Sequence, residues 1–280
     1  MSLRRKIAVR YIKTKFKLLS ALSKRKAAEQ AFDLFCTPQV LYKKEPAAIF
    51  SKAEKLHFSF EGYTISGYRW NPSDKKVLIL HGFSSTILNF DHFVKPLIKK
   101  GYEVLAFDAP AHGASTGKRI NVVLYKEFIE KVYELYGPIK SFIAHSLGGL
   151  SLALALEDIQ HDETYKVALI APATETTTSI DFYFNFLKLD KGVRKEFDAL
   201  IEEVSGGHTP DWFSVRRAAK HIKAQVLWLH DEVDELTPWS DARKVQEADY
   251  PNFHFVVTKG LGHRRIYRDK KMVDRIIDFF

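Results

Sequence analysis

Cysteine is almost missing from these 280 residues: Cys36 stands alone. One cysteine cannot form an internal disulfide, so packing and hydrogen bonds must hold the fold, and a reducing compartment is the natural setting. Cys36 reads as a small core residue and not as a nucleophile. Apolar runs are short as well. None approaches the roughly 18 residues that a membrane-spanning helix needs, and the basic N-terminus lacks the apolar core and cleavage site of a secretory signal. A cytoplasmic location is expected. The sequence holds no Cys/His cluster and no H-E-x-x-H for a metal, and neither G-x-G-x-x-G nor G-x-x-x-x-G-K-[ST] for a nucleotide phosphate. Neither a metal nor a cofactor is expected.

Acid is missing from the N-terminal stretch, where base is plentiful. Residues 1–28 hold ten Lys or Arg and no Asp or Glu, which leaves 33 basic against 34 acidic residues in the rest of the chain. The formal charge of +9 and the pI near 9.3 therefore report an N-terminal arm on an electrically ordinary body, and nucleic acid is not an expected partner. Residues 4 to about 34 read as helix, with Val9, Ile12, Phe16, Leu19 and Leu22 on one stripe and Lys6, Arg10, Lys13 and Lys17 opposite. Over residues 4–26 such a helix suits peripheral contact with an anionic membrane. It equally suits packing on the body or a partner subunit, with lysine stems covering apolar surface. Arg5 and Lys15 fall close to the stripe, which weighs toward packing.

What the sequence does hold is alternation. Hydrophobic residues make up 46% of the chain, enough for the core of one large α/β domain. Leu56, Phe58 and Phe60 alternate with polar residues, Glu61-Gly62 turns the chain, and 63–70 returns as the second strand of an antiparallel hairpin. The fully apolar run 77–80 then reads as a strand buried on both faces. Further strands follow at 104–107, 141–143, 167–170, 226–229 and 253–257, with helices at 91–99, 122–136, 150–157 and 271–280. This order predicts a mostly parallel sheet covered on both sides. Between 172 and 223 the alternation stops, and three helices are expected, at 180–187, 193–204 and 212–221. The expected organisation is an N-terminal basic helical extension, 1–50, and a domain, 51–280, with an insertion at about 174–222. That insertion would lie over the strand ends as a lid, with Phe182, Tyr183, Phe186 and Trp212 available to line an apolar pocket.

The chemistry centres on the run Ser141-Phe142-Ile143-Ala144-His145-Ser146-Leu147-Gly148-Gly149-Leu150, a strand that breaks at a serine and continues as a helix. Strand and helix backbones come close at such a turn, and Ala144 and Gly148 supply the small residues it needs. Downstream, the strand 226–229 ends in His230-Asp231-Glu232-Val233-Asp234-Glu235-Leu236-Thr237-Pro238, and the next ends in Lys259-Gly260-Leu261-Gly262-His263. A serine needs a histidine to take its proton, and that histidine needs a carboxylate to fix its tautomer. Asp231, Glu232, Asp234 and Glu235 compete for the last role.

These segments resemble the α/β-hydrolase superfamily, whose nucleophile elbow G-x-S-x-G is matched with Ala144 in place of the first glycine. The resemblance runs from about Leu56 to Phe280 and implies a Ser146, Asp234, His263 triad, since the family's acid segment aligns Asp234 with the acid and Thr237-Pro238 with its end. The glycines around Leu261 would give His263 a flexible, unobstructed loop. His81-Gly82-Phe83 resembles the family's oxyanion turn, which implies that the backbone N–H groups of Phe83 and Leu147 hold the developing oxyanion. Asp108-Ala109-Pro110-Ala111-His112-Gly113-Ala114-Ser115 resembles a structural D-x-P-G-x-G-x-S turn with Ala111 in place of glycine; His112 and His145 read as packing or hydrogen-bonding residues. The implied function is a serine hydrolase that cleaves small-molecule carboxylic esters, lipid-like acyl esters among them, or thioesters through an acyl-enzyme. The alternative is a hydrolase-like fold without catalysis that serves as a binding or scaffold protein.

Overall fold

The structure, a computed structural model, describes residues 3–39 and 45–280. Its strands are β1 (Glu54–Phe60), β2 (Tyr63–Trp70), β3 (Lys76–Leu80), β4 (Glu103–Phe107), β5 (Ser141–His145), β6 (Lys166–Ile170), β7 (Gln225–Asp231) and β8 (Phe253–Thr258). They form one sheet in the order β1-β2-β4-β3-β5-β6-β7-β8. The helices are α1 (Leu3–Leu22), α2 (Lys24–Phe35), α3 (Asp91–Lys99), α4 (Val122–Tyr136), α5 (Leu147–Ala155), α6 (Thr176–Leu187), α7 (Lys191–Val204), α8 (Val215–Ala218), α9 (Trp239–Gln246), α10 (Gly262–Arg265) and α11 (Lys270–Phe279). Two compact units result: Pro38–Thr174 with Ser214–Phe280 carries the sheet, and Met1–Thr37 with Glu175–Phe213 is helical.

In the sheet unit, β1 and β2 pair antiparallel from Glu54↔Arg69 to Phe60↔Tyr63. Their turn, Glu61-Gly62, has φ of 47° and 76°, and two positive values in succession match the right-handed twist of a hairpin. β2 runs antiparallel to β4, and every later pairing is parallel. Residues 77–80, 104–107, 142–144, 167–170 and 226–229 are all buried, as strands covered on both faces must be. On one face Val77, Ile79, Val104 and Ile143 pack with Phe93 and Leu97 of α3 and Ile276 of α11. On the other, Phe107 meets the edge of Phe128 from α4. Each such apolar side chain contributes about 1.5–3 kcal/mol by leaving water. The parallel register brings the C-terminal ends of β3 to β8 to one edge of the sheet, where the loops that bear chemistry emerge.

In the helical unit, Phe32, Phe35, Tyr183, Phe184 and Phe197 form an aromatic core in which rings meet mostly edge to face. Around it Arg25 forks onto Glu203 at 2.7 and 2.6 Å, and Lys24 meets Asp190 at 2.7 Å. Pairs this exposed set register more than stability. The single helix expected over 4–34 is broken at Ser23, which leaves helical geometry (φ −157°) and accepts a 3.3 Å hydrogen bond from Lys26 N–H, capping α2. The helix expected over 212–221 is broken in the same way: Ser214, at φ −139°, caps α8 through Arg217 N–H.

Ala111 occupies the left-handed region at φ 64°. A Cβ there costs about 1–2 kcal/mol, and glycine returns part of that gain as unfolded-state entropy, about 0.4–1 kcal/mol. Ala111→Gly should therefore raise stability by about 0.5–1 kcal/mol, read as a higher urea midpoint; a lowered midpoint would mean that the side chain's contacts outweigh the strain.

Candidate active site

β5 ends at His145 and α5 begins at Leu147, so Ser146 is the whole connection between them. Its φ of 54° and ψ of −120° fall in a region that costs about 1–3 kcal/mol for a residue with a side chain. The surroundings hold it there. Ser146 N–H donates to Ile170 O, and its carbonyl accepts from Gly149, Leu150 and Ala173. A Cβ at Gly148 would stand 2.7 Å from His81 O, and one at Gly82 would stand 2.8 Å from Ser146 Cβ. Only glycine lets the start of α5 and the turn 81–83 close on the serine from two sides.

Asp234 arrives from the segment after β7 and His263 from the segment after β8. His263 Nε2 lies 3.0 Å from Ser146 Oγ, and His263 Nδ1 lies 2.8 Å from Asp234 Oδ2. Asp234 also accepts from the N–H groups of Leu236 and Thr237 and from Thr237 Oγ1. Burial alone would push this carboxyl up, but the His263 hydrogen bond and charge, with the Thr237 and Leu236 amides, hold it down at about 2. The ionised carboxylate accepts from His263 Nδ1–H, which leaves the ring's other nitrogen, Nε2, facing Ser146 Oγ.

Asp231, the competing acid, does other work. It accepts from Thr258 Oγ1 at 2.7 Å, Leu261 N–H at 2.8 Å and Gly260 N–H at 3.2 Å. Burial opposes its charge, and these bonds outweigh burial, so the carboxyl sits below its ordinary range. Arg265 adds bonds from its guanidinium to Leu261 O and Gly260 O. The His263 segment is thus the first turn of α10, tied down by Asp231 and Arg265, and not the flexible, unobstructed loop that its glycines lead one to expect.

The backbone N–H groups of Phe83 and Leu147 donate to nothing among the described residues. Both flank the serine, one on the turn that Gly82 presses against it and one at the N-terminus of α5, where helical N–H groups are unpaired and favour negative charge. Asp108 ties down this side by accepting from Thr86 Oγ1 and from the amides of Ile87 and Ala114.

Four buried histidines anchor the loops around the site. His81 accepts from Ala109 N–H and donates to Gly82 O. His112 accepts from Ser84 N–H and donates to Pro110 O. His145 Nε2–H donates to His263 O at 3.0 Å, and His230 Nε2–H donates to Thr237 O at 2.7 Å while accepting from Trp228 Nε1–H. Desolvation lowers the pKa of all four, His81 to about 4 and His112 to about 3. Although His81 Nε2 lies 3.9 Å from Asp108 Oδ1, it accepts from Ala109 N–H and so carries no proton, which makes the pair no ion pair. Sequence reading assigned no role to His230. Its signal was position: His81, His145 and His230 all fall within one residue of a strand's C-terminal end.

A family profile described as "Serine aminopeptidase, S33" matches residues 71–214. An uncharacterized Bacillus subtilis (strain 168) protein, YqkD, is 34% identical over 224 residues, 71% of this chain and 69% of the relative. The chain belongs to the α/β-hydrolase family. Among solved structures this hydrolase is similar to the Pyrococcus furiosus esterase Pf2001, at 22% identity over 87% of this chain and 95% of that one, with a TM-score of 0.62. It is also similar to the thioesterase domain from the curacin biosynthetic pathway, at 16% identity over 80% and 99%, with a TM-score of 0.58. At these identities the likeness is one of fold.

The four aromatics expected to line an acyl pocket in this hydrolase do different things. Tyr183 belongs to the packed interior of the helical unit, where its hydroxyl donates to Ala31 O and its ring meets Phe35. Phe182 and Phe186 are exposed. Trp212 stacks on His208 with centroids 4.0 Å apart. The described residues include no cluster of His, Cys, Asp or Glu that could hold a metal, and no described helix is long and apolar enough to cross a membrane.

The histidines give stability a pH dependence with a definite sign. Their folded pKa values lie below the unfolded value near 6.5, so the unfolded chain takes up protons first as pH falls, and stability present above pH 6.5 is lost below it. Between pH 6.5 and 5, His81 and His112 alone should remove about 3 kcal/mol, the slope for each rising from about 0.7 to about 1.4 kcal/mol per pH unit as the unfolded ring becomes fully protonated. Urea denaturation over this range measures it, and a flat profile would contradict the neutral assignment.

Proposed function

We propose that this chain is a serine hydrolase of carboxylic esters or thioesters and works through an acyl-enzyme on Ser146. The observation that carries the reading is the continuous line of hydrogen bonds from Ser146 Oγ through His263 to Asp234. As Ser146 Oγ bonds to the substrate carbonyl carbon, its proton passes to His263 Nε2. The carbonyl oxygen becomes an oxyanion within reach of the free N–H groups of Phe83 and Leu147, donors whose removal in such sites costs about 2.7–4 kcal/mol. His263 then gives the proton to the departing alkoxide or thiolate as the carbonyl–leaving-group bond breaks. Water repeats the sequence on the acyl-enzyme: His263 takes its proton, the hydroxyl adds to the acyl carbon, and Ser146 leaves with the proton returned. Asp234 stays ionised throughout and stabilises the imidazolium.

A fluorophosphonate probe should label folded protein at Ser146, located by mass spectrometry. Ser146→Ala should remove the adduct and reduce p-nitrophenyl ester hydrolysis by several orders of magnitude with the fold intact. Asp234→Asn should lower kcat about 10³–10⁴-fold, because the amide no longer enforces the tautomer. Full activity in Ser146→Ala would overturn Ser146 as the nucleophile, and a wild type with neither adduct nor hydrolysis would return the chain to the class of hydrolase-like binding proteins.

Substrate class is a separate question with its own measurement. If the acyl groups are apolar and lipid-like, kcat/KM should rise with acyl length in a series of p-nitrophenyl esters. The matched family's description makes amide cleavage the competing reading, so aminoacyl anilides belong in the same panel. Activity confined to acetyl esters, or greater on the anilides, overturns the ester preference.

A further inference from the structure

Helix α1 is apolar on two opposite faces. Val9, Ile12, Phe16 and Leu19, the stripe that periodicity singles out, are buried or half-buried. Leu22, read with that stripe, belongs to the other side. Ile7, Tyr11, Leu18 and Leu22 are 61, 69, 64 and 85% exposed, and at 100° per residue they fall within an arc of about 60°. Soluble surfaces carry single exposed apolar residues without consequence, whereas an aligned row of four large ones on one helix marks a contact surface.

The charge beside this row says what it meets. Arg10, Lys15 and Lys17 flank it, all exposed and none in an ion pair among the described residues. No acid occurs in α1. The side chains of Arg4, Arg5 and Lys6 lie outside the described residues. A second copy of the chain is a poor occupant, because it would set the same cations against one another. A nucleic acid would leave the apolar row unmatched. An anionic lipid surface satisfies both features: the row enters the acyl boundary, and the three cations meet the headgroups.

We propose that the exposed face of α1, with Ile7, Tyr11, Leu18 and Leu22 at its centre, docks this protein on anionic membranes. The inner stripe packs and the outer row inserts, so one helix serves both uses for which its sequence is suited. This inference is independent of the hydrolase reading.

The test is co-sedimentation of the full chain with vesicles of phosphatidylcholine containing about 30% phosphatidylserine or none, at about 0.05 and 0.5 M salt. Binding is expected with the anionic vesicles at low salt, weakened roughly tenfold or more at high salt. Leu18→Ser with Leu22→Ser, and separately Arg10→Gln with Lys15→Gln and Lys17→Gln, should each weaken it by a similar factor. Circular dichroism melts like those of the wild type would show that the helical unit is intact in these variants. A full chain that stays in the supernatant, or variants that bind like wild type, overturn the proposal. So does a solution dimer that the leucine pair dissociates, since that assigns the face to a second copy.

Discussion

The site depends on a steric constraint: β5, α5 and the turn after β3 meet where there is no volume for a side chain at Gly82 or Gly148. That closeness makes Ser146 adopt a backbone conformation it would not choose, and three hydrogen bonds to its carbonyl prevent relaxation. The strain has a use. A serine in relaxed helical or extended geometry would turn its hydroxyl along the sheet or into the turn, whereas here Oγ stands within 3.0 Å of His263 and beside two unpaired N–H groups. The interior of α5 is completely buried and has no charged residue, so the helix start is as rigid as the sheet beneath it.

A second constraint follows from burial. Loops at the strand ends need polar anchors, and water is excluded from the interior, so the anchors must be protein groups that can donate and accept while uncharged. Neutral histidine does both from one ring. His81 and His112 brace the turn beside the serine, His145 holds the carbonyl of His263, and His230 holds the carbonyl of Thr237. The arrangement works only while these rings stay neutral, because protonation would replace the accepting nitrogen of His81, His112 or His230 with a donor facing a donor. The same desolvation that makes the anchors strong makes them sensitive to acid.

Legibility in the sequence followed the range of the forces involved. Strands buried on both faces announce themselves as short apolar runs, and residues 77–80 and 226–229 could hardly be anything else. The elbow was legible because its steric demand falls on residues two positions from the serine. The breaks at Ser23 and Ser214 were hidden, since a capping serine inside a helical pattern looks like any polar residue on the solvent face until its φ is known. The tether on His263 was hidden for a different reason. Glycines at 260 and 262 signal freedom locally, and the hydrogen bonds that remove it come from Asp231, about thirty residues earlier. Two of the three helices expected in the insertion, those over 180–187 and 193–204, are present, yet no local pattern shows that Tyr183 is committed to a carbonyl at Ala31 in the N-terminal segment.

Asp231 and Asp234 show how two acids three residues apart divide the work. Both are buried, and both are held below the ordinary carboxylate range. Asp231 accepts from a hydroxyl and backbone N–H groups, none of which changes charge over the working pH range. Asp234 adds to two amides and a hydroxyl one partner, His263, that would change charge in the proposed reaction. In the proposed reaction His263 gains and loses a proton twice per turnover. If its position depended on Asp234 alone, each change of charge would alter the force that locates it. Because Asp231 and Arg265 fix the backbone on its N-terminal side and His145 fixes its own carbonyl, the ring can cycle between imidazole and imidazolium over a constant backbone. The two acids at the end of β7 and in the turn beyond it thereby separate positioning from proton chemistry, and the acid that touches the histidine is free to respond to its charge.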